Sequence, residues 1–392
     1  MDKYETKFRE CFGREPEYLF SVPGRTELGG NHTDHQHGCV VAAAINLEML
    51  SLVAKNDTGI IRVQSEGYSI CEIDTRDLKV KPSEINTTAS LIRGVAAGLN
   101  GAGAKIGGFD AYCTSNIPVG GGLSSSAAFE VLIGAILNIL YNDGKFTPTE
   151  LAQIGQYAET AYFGKPSGLM DQMACSLGNA IGIDFKNPSE PVVEKVGFDF
   201  SNSGYALCII DSGADHAKLT HEYAAIPAEM CSVAAFFEKE VLRDVDENEF
   251  YENIASVRAK CGDRAVLRAI HFFNENRRAK EQLECLMRGD FEGFLALVRE
   301  SGRSSRELLQ NIVPAGYTCH QEMGFAISLA EHLLRGQGAV RVHGGGFAGT
   351  IQAFVPDDML KDFKKEIEKV LGEGRCQVLS IRPEGAVLVK KF

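Results

Sequence analysis

The 392-residue sequence has no tryptophan, no run of eighteen apolar residues, no C-x-x-C pair and no surplus of basic side chains. Without the apolar run, no segment reads as a membrane span. The start, MDKYETKFRECFGREPEY, is charged and lacks the apolar centre of a secretion signal, so a cytoplasmic location is expected. Eleven cysteines are scattered singly from Cys11 to Cys376. An odd number without paired spacing argues against a disulfide framework or structural zinc and for reduced, buried thiols. Lys and Arg total 40 against 52 Asp and Glu, and the net charge of -12 repels nucleic acid and anionic membranes. Any anionic ligand must be held by local groups. Two common phosphate signatures are also missing: Gly164-Lys165-Pro166-Ser167 lacks the upstream glycine of a G-x-x-x-x-G-K-[ST] loop, and no G-x-G-x-x-G with an acidic partner occurs.

What is present suits two domains of mixed α and β structure, with strand-like runs alternating with helical patterns and no internal repeat. Thr147-Pro148-Thr149-Glu150 predicts a helix start with a capping box, the helix running to about Tyr162 before Gly164 stops it. The nearly continuous apolar stretch AAFEVLIGAILNILYN predicts a helix buried on most sides. Leu360, Phe363, Ile367, Val370 and Leu371 predict one apolar face of a helix from near Asp357 to Gly372. The polar stretches at 186–191 and 201–204 place the domain junction near residue 200.

Four segments carry candidate chemistry. In Pro118-Val119-Gly120-Gly121-Gly122-Leu123-Ser124-Ser125-Ser126, glycines admit close approach of an anion, and the following helix offers unpaired N–H groups and a favourable dipole. Its serines add donors and a Mg²⁺ ligand. A tight turn with a serine N-cap is the competing reading. The second segment, Pro23-Gly24-Arg25-Thr26-Glu27-Leu28-Gly29-Gly30-Asn31-His32-Thr33-Asp34-His35-Gln36-His37-Gly38, is dense in hydrogen-bonding groups beside an apolar run, which suits a polyhydroxylated ligand. An ordinary polar turn competes, and a histidine metal site lacks a fourth ligand. Third, the turn 164–172 presents Asp171, able to take a proton from a hydroxyl, although a helix-capping aspartate reads the same way. Glu159, twelve residues earlier, is a hard oxygen ligand for Mg²⁺ or simply a solvated helix residue. The fourth is Val342-His343-Gly344-Gly345-Gly346-Phe347-Ala348-Gly349-Thr350, a glycine loop entering a strand, where close backbone packing competes.

Together, in this order and spacing, these segments resemble the galactokinase branch of the GHMP kinases, and the likeness runs from Phe8-Arg9-Glu10-Cys11-Phe12-Gly13 to Ser380-Ile381-Arg382-Pro383-Glu384-Gly385-Ala386. The resemblance implies a two-domain α/β (α+β) fold. Residues 1–200 would resemble the second domain of a ribosomal small-subunit protein, and 201–392 would form a ferredoxin-like unit, with the active site in the cleft between them. It implies ATP and Mg²⁺ as cofactors, a hexose as acceptor and an enzyme that makes a sugar 1-phosphate; a monomer is the default expectation, since nothing in the sequence bears on oligomeric state. By position, Gly120, Gly121, Gly122, Leu123, Ser124, Ser125 and Ser126 would wrap the ATP phosphates, supported by Gly345 and Gly346. Ser126 and Glu159 would hold the metal. Asp171 would take the proton of the sugar hydroxyl beside Arg25. Asn31, His32, Asp34, Gly168 and Tyr223, the last matched through His216, would line the sugar pocket.

The departures fall on the ligand contacts. The family's G-E-H-T-D-Y reads Gly30-Asn31-His32-Thr33-Asp34-His35, and its V-N-L reads Thr26-Glu27-Leu28. The Asn-x-Arg-Arg expected after Tyr223 is Ala224-Ala225-Ile226-Pro227, and the absence of tryptophan removes an indole wall for adenine. Restoring the carboxylate with Asn31→Glu is therefore expected to shift preference toward galactose. Galactose comes first among acceptors, then another hexose, an amino sugar or a related polyol. A catalytically silent sugar and ATP sensor and a kinase for another small alcohol, such as homoserine or mevalonate, are the competing functions.

Overall fold

The computed structural model describes residues 2–118, 122–165, 167–214 and 219–392. After an opening helix, α1 (Asp2–Phe12), the segment YLFSVPGRTELG forms β1 (Tyr18–Gly29), buried from its second residue onward. It pairs with the long β2 (Cys39–Lys55), and the register slips between Pro23 and Arg25. Proline has no N–H for the ladder, and such a bulge re-aims the side chain that follows. Here that side chain is Arg25, whose N–H is turned to the Leu123 carbonyl at 3.2 Å.

Among the described residues, β1 and β2 belong to an eight-stranded sheet with β3 (Ile60–Ser65), β4 (Cys71–Asp74), β5 (Phe109–Ser115), β6 (Ala180–Asp184), β7 (Val192–Val196) and β12 (Val387–Lys391). The order β12-β1-β2-β5-β3-β4 is antiparallel except at β3 and β5, while β6 joins β2 to β7. Against it pack α2 (Thr88–Gly101) and α3 (Ser125–Asn142), with Ile92, Val95, Leu132 and Ile136 wholly buried. α3 is long and apolar enough to cross a membrane, but 67% of it is buried within the protein.

α4 (Pro148–Tyr157) starts as the sequence predicts, with Thr147 and Glu150 forming the capping box. It does not remain α-helical to Tyr162. Residues Ala158–Phe163 widen into a π-helical turn, closed by Gly164 in the left-handed region, and α5 (Met170–Leu177) follows. Such turns shift side chains around the helix axis and are frequent at functional sites; this one carries Glu159.

A four-stranded antiparallel sheet, ordered β11-β8-β10-β9, comprises β8 (Tyr205–Asp211), β9 (Ala339–Val342), β10 (Thr350–Pro356) and β11 (Cys376–Leu379). It is covered by α11 (Glu322–Leu334) and α12 (Leu360–Leu371). In α12, Phe363 and Ile367 face inward, whereas Val370 is 51% exposed and lies off the predicted apolar face. Between β8 and β9 in the chain come α6 (Thr220–Phe236), α7 (Glu247–Glu252), α8 (Ile254–Cys261), α9 (Asp263–Arg288) and α10 (Phe291–Ser304), and a second π-helical turn, Ser305–Leu309, ends α10.

Candidate active site

The bulge in β1 delivers Arg25, 6% exposed, to the N-terminus of α5. Its Nε donates to Asp171 Oδ1 at 2.6 Å and its Nη2 to Oδ2 at 3.0 Å, a two-pronged pair, while Nη1 donates to the Gly122 carbonyl at 2.6 Å. Ser124 Oγ adds a 2.5 Å hydrogen bond to Asp171 Oδ2. Burial alone would raise the Asp171 pKa, but the Arg25 guanidinium and the Ser124 hydroxyl outweigh it and bring the carboxyl down to about 2.

Ser124 occupies the N-cap position of α3 at φ +59°, yet its side chain makes no capping hydrogen bond. The hydroxyl is turned to Asp171 instead. That favours the anion-site reading over a serine-capped turn, because the first N–H groups of α3 keep their capacity for phosphate oxygens. Gly122, also left-handed at φ +66°, packs so closely on the far half of the chain that a Cβ there would stand 2.9 Å from Thr350 Oγ1. Leu123, Ser125 and Ser126 complete the described part of the loop; Gly120 and Gly121 lie outside the described residues, as does His216.

Glu159, 2% exposed, faces Ser126 from the π-helical turn. Its Oε1 accepts from Ser126 Oγ at 3.2 Å and from Lys165 Nζ at 2.8 Å. Its Oε2 accepts from Ser167 Oγ at 2.6 Å and Gln172 Nε2 at 3.0 Å. The same Gln172 amide donates to Glu130 at 2.9 Å. Glu130 is wholly buried in α3, and burial and the neighbouring Glu159 push its pKa far up. A hard carboxylate and a hydroxyl that already accommodate one cation, the Lys165 ammonium, form a donor set that suits Mg²⁺.

On the other side of Asp171, the Asp34 carboxylate lies against Gly168, where a Cβ would come within 1.7 Å of Oδ2. Burial and the nearby Asp171 charge raise the Asp34 pKa to about 7. His32 bonds His35 at 3.2 Å and the Gly345 carbonyl at 3.0 Å, and burial lowers the two imidazoles to about 4 and about 3. Both are neutral at physiological pH, and no group of three metal-binding side chains occurs among the described residues. The Tyr223 hydroxyl donates to the Gly346 carbonyl at 2.7 Å. Asp34 thus meets Gly168, and His32 and Tyr223 meet at Gly345.

Asn31 sits differently from its expected place. It is fully buried beneath the loop, its Nδ2 donating to Glu27 Oε1 at 3.1 Å and to the Gly344 carbonyl at 2.8 Å. Its Oδ1 accepts from Ser305 Oγ at 3.1 Å and Asn311 Nδ2 at 2.9 Å. With both amide protons and the carbonyl engaged, the side chain points into a polar core that also holds the Glu27–Arg341 ion pair and Glu275. The second glycine loop also differs from expectation. The carbonyls of Gly344, Gly345 and Gly346 hold Asn31, His32 and Tyr223, while the flanking His343 and Thr350 back Gly122. His343 Nε2 lies 3.1 Å from Thr26 Oγ1 and 3.4 Å from the Glu27 nitrogen, and its Nδ1 faces Thr350 Oγ1 at 3.0 Å.

Sequence reasoning missed Lys165, Glu130 and His343. A lone glutamate in the apolar stretch of α3 was the one available signal, since a charge there must be paired or neutral.

A basic–acidic pair at the mouth of a glycine-serine loop, with a carboxylate and a serine beside it, is suited to holding phosphate next to a proton acceptor. Accordingly, the GHMP kinases N terminal domain matches residues 89–179, which include this loop, Glu159 and Asp171. The galactokinase galactose-binding signature matches residues 6–55, which include Arg25 and Asp34. The chain is 32% identical over 371 residues to a galactokinase of Glaesserella parasuis serovar 5, spanning 93% of this chain and 91% of that protein. It is 31% identical over 349 residues to a galactokinase of Streptomyces coelicolor, spanning 88% and 86%. The crystal structure of Lactococcus lactis galactokinase complexed with galactose superposes with a TM-score of 0.83 at 27% identity, covering 98% of this chain and 99% of that one. A mevalonate kinase shares the fold, with a TM-score of 0.65 at 16% identity over 93% of this chain and 99% of that one. The chain belongs to the galactokinase family.

Proposed function

We propose that this protein transfers the γ-phosphoryl group of ATP to the anomeric hydroxyl of galactose or a closely related hexose, giving the sugar 1-phosphate and ADP. The observation that carries the reading is the Arg25–Asp171 pair tied through Ser124 to the loop that opens α3. In this reading Asp171 is the proton acceptor for the sugar, one hydroxyl away from the loop that would cradle the phosphates. In the same reading, residues 1–200 and 201–392 form two domains, with β8–β11 in the second and β12 returning to the first sheet.

In this mechanism Asp171 orients the acceptor hydroxyl and receives its proton. A carboxylate held near pKa 2 is a weak base, so the proton moves late, after the oxygen has begun to bond phosphorus and become acidic. A loose phosphoryl-transfer transition state asks for little more than positioning and charge stabilisation. Arg25 keeps Asp171 ionised and fixes both its oxygens, and the N-terminal N–H groups of α3 face the phosphate charge. Ser126 and Glu159 would hold Mg²⁺, which when bound neutralises charge on the phosphate oxygens. The adjoining cleft residues His32, Asp34, Gly168 and Tyr223 would contact the sugar.

ADP release measured with Mg-ATP across galactose, other hexoses, N-acetylhexosamines and small alcohols tests the assignment. Galactose or a near relative should give the highest kcat/KM. ATP binding without turnover on any acceptor would sink it in favour of a sensor.

The pH profile offers a second test. Asp34, at about 7 in the free protein, is neutral below that pH and a carboxylate above it. If the carboxylate accepts a sugar hydroxyl, kcat/KM for sugar should fall about tenfold per pH unit below 7 and level off above it, since this parameter reports free-enzyme ionisations. Asp34→Asn should abolish that limb. Asp171, at about 2, contributes none in the working range.

A further inference from the structure

Among the described residues, Arg25 and Lys165 are the cationic side chains that bond the acidic cluster around the phosphate loop, and they are held differently. Arg25 is buried and committed through three nitrogens to Asp171 and the Gly122 carbonyl. Lys165 sits on the turn between the π-helical segment and α5, its side chain 54% exposed. Among the described residues its ammonium makes one hydrogen bond, to Glu159 Oε1 at 2.8 Å. An ammonium carries three donors. Its one partner is also an oxygen that the proposed metal would need, and Ser126 Oγ, on the first turn of α3, meets that same oxygen at 3.2 Å. The protein as a whole carries a charge of -12, so a polyphosphate must find its counter-charge locally.

From this arrangement we infer that Lys165 is a nucleotide phosphate-binding residue, parked on Glu159 in the unliganded protein and passing to the phosphate oxygens when nucleotide enters the loop. Glu159 Oε1 cannot keep the ammonium at 2.8 Å and hold a divalent cation as well, because the two positive charges would stand in contact. The released ammonium is already beside the loop, and a flexible four-carbon stem lets it follow the phosphate as a point charge. While parked, it balances a carboxylate that would otherwise be buried with Glu130 and Asp171 close by. The inference rests on the kinase reading above, and the test separates the two.

ADP affinity is measured by calorimetry in EDTA, and Mn²⁺ affinity without nucleotide by electron paramagnetic resonance, for the wild-type protein, Lys165→Gln and Lys165→Arg. Lys165→Gln should weaken ADP binding about tenfold, the effect of one charge-assisted contact. It should leave Mn²⁺ binding equal or tighter, because a competing cation has gone. Lys165→Arg should restore ADP affinity to within about threefold, since a guanidinium also binds phosphate. The unliganded unfolding midpoint checks that the fold is intact. ADP affinity unchanged in Lys165→Gln, or weakened equally in both variants, overturns the proposal. Failure of Mn²⁺ to bind any of the three proteins would count against the metal site alone, and failure of the wild-type protein to bind ADP would overturn the kinase reading and this inference together.

Discussion

Asp171→Asn is expected to lower kcat by about 10³-fold, within the range of roughly 10²–10⁴ for loss of a positioned proton acceptor, with KM for the sugar changed only severalfold. The amide keeps the shape and one acceptor oxygen, so the sugar can still dock. What is lost is a site for the hydroxyl proton and the charge that engages Arg25 at both oxygens. Breaking a buried ion pair costs about 3–5 kcal/mol in general, so the variant's stability must be measured beside its rate. The pair is only partly buried, Asp171 keeping 28% exposure, and the true cost should fall below that range. Single-turnover kinetics with saturating ATP check the claim. A rate within tenfold of wild type would leave Asp171 as a structural partner of Arg25 and nothing more.

The second large effect concerns stability. Asn31→Glu is expected to destabilise the fold by about 3–5 kcal/mol, the scale of an uncompensated buried charge. Every polar atom of Asn31 is engaged, and its amide protons point at Glu27 and the Gly344 carbonyl. A carboxylate there would face two acceptors, and Glu27 already has a pKa raised by burial in spite of Arg341. This revises the expectation that the single change recovers a preference for galactose. Against the family pattern, the acid and the amide have exchanged places: Glu27 stands where the family has Asn, and Asn31 where it has Glu. The two side chains remain hydrogen-bonded, and the carboxylate also pairs with the buried Arg341. The paired variant Glu27→Asn, Asn31→Glu should therefore regain most of the lost stability. Chemical denaturation of both singles and the double yields the coupling directly. Additive losses would mean the exchange is accidental. A shift in sugar preference is expected in the double variant and not in the single.

The reading from sequence succeeded where chemistry and chain neighbourhood coincide. Thr147-Pro148-Thr149-Glu150 fixes the start of α4 because all its partners lie within one turn. Arg25, Asp34, Gly168 and Asp171 lie in short segments whose spacing is distinctive, and they meet in the structure. It failed where a role depends on a distant partner or on an irregular backbone. Asn31 is directed inward by Asn311 and Ser305, some 280 residues on, a pairing that no local pattern encodes. The π-helical turn inserts its extra residue without altering the apolar rhythm that predicts α4, so the backbone that aims Glu159 at Ser126 could not be read, although the family likeness pairs the two residues. No local pattern marks Lys165 either, since a lysine beside Gly164 and before a proline looks like punctuation.

The strand that closes the edge of the first sheet comes from the far end of the chain: β12 pairs with β1, whose other end carries Arg25. Arg382 binds Ser21 and Glu48 from the same returning segment, and Asn179, just after α5, donates to the Arg382 carbonyl at 2.7 Å. During synthesis, β1 therefore waits through about 360 further residues, roughly 20–70 s at ~5–20 residues per second, before its outer edge is covered. For that interval a mostly apolar strand edge stays open to wrong partners on the ribosome. A nascent chain of this protein should accordingly be a customer for chaperones until its last strand is made, however stable the finished enzyme proves.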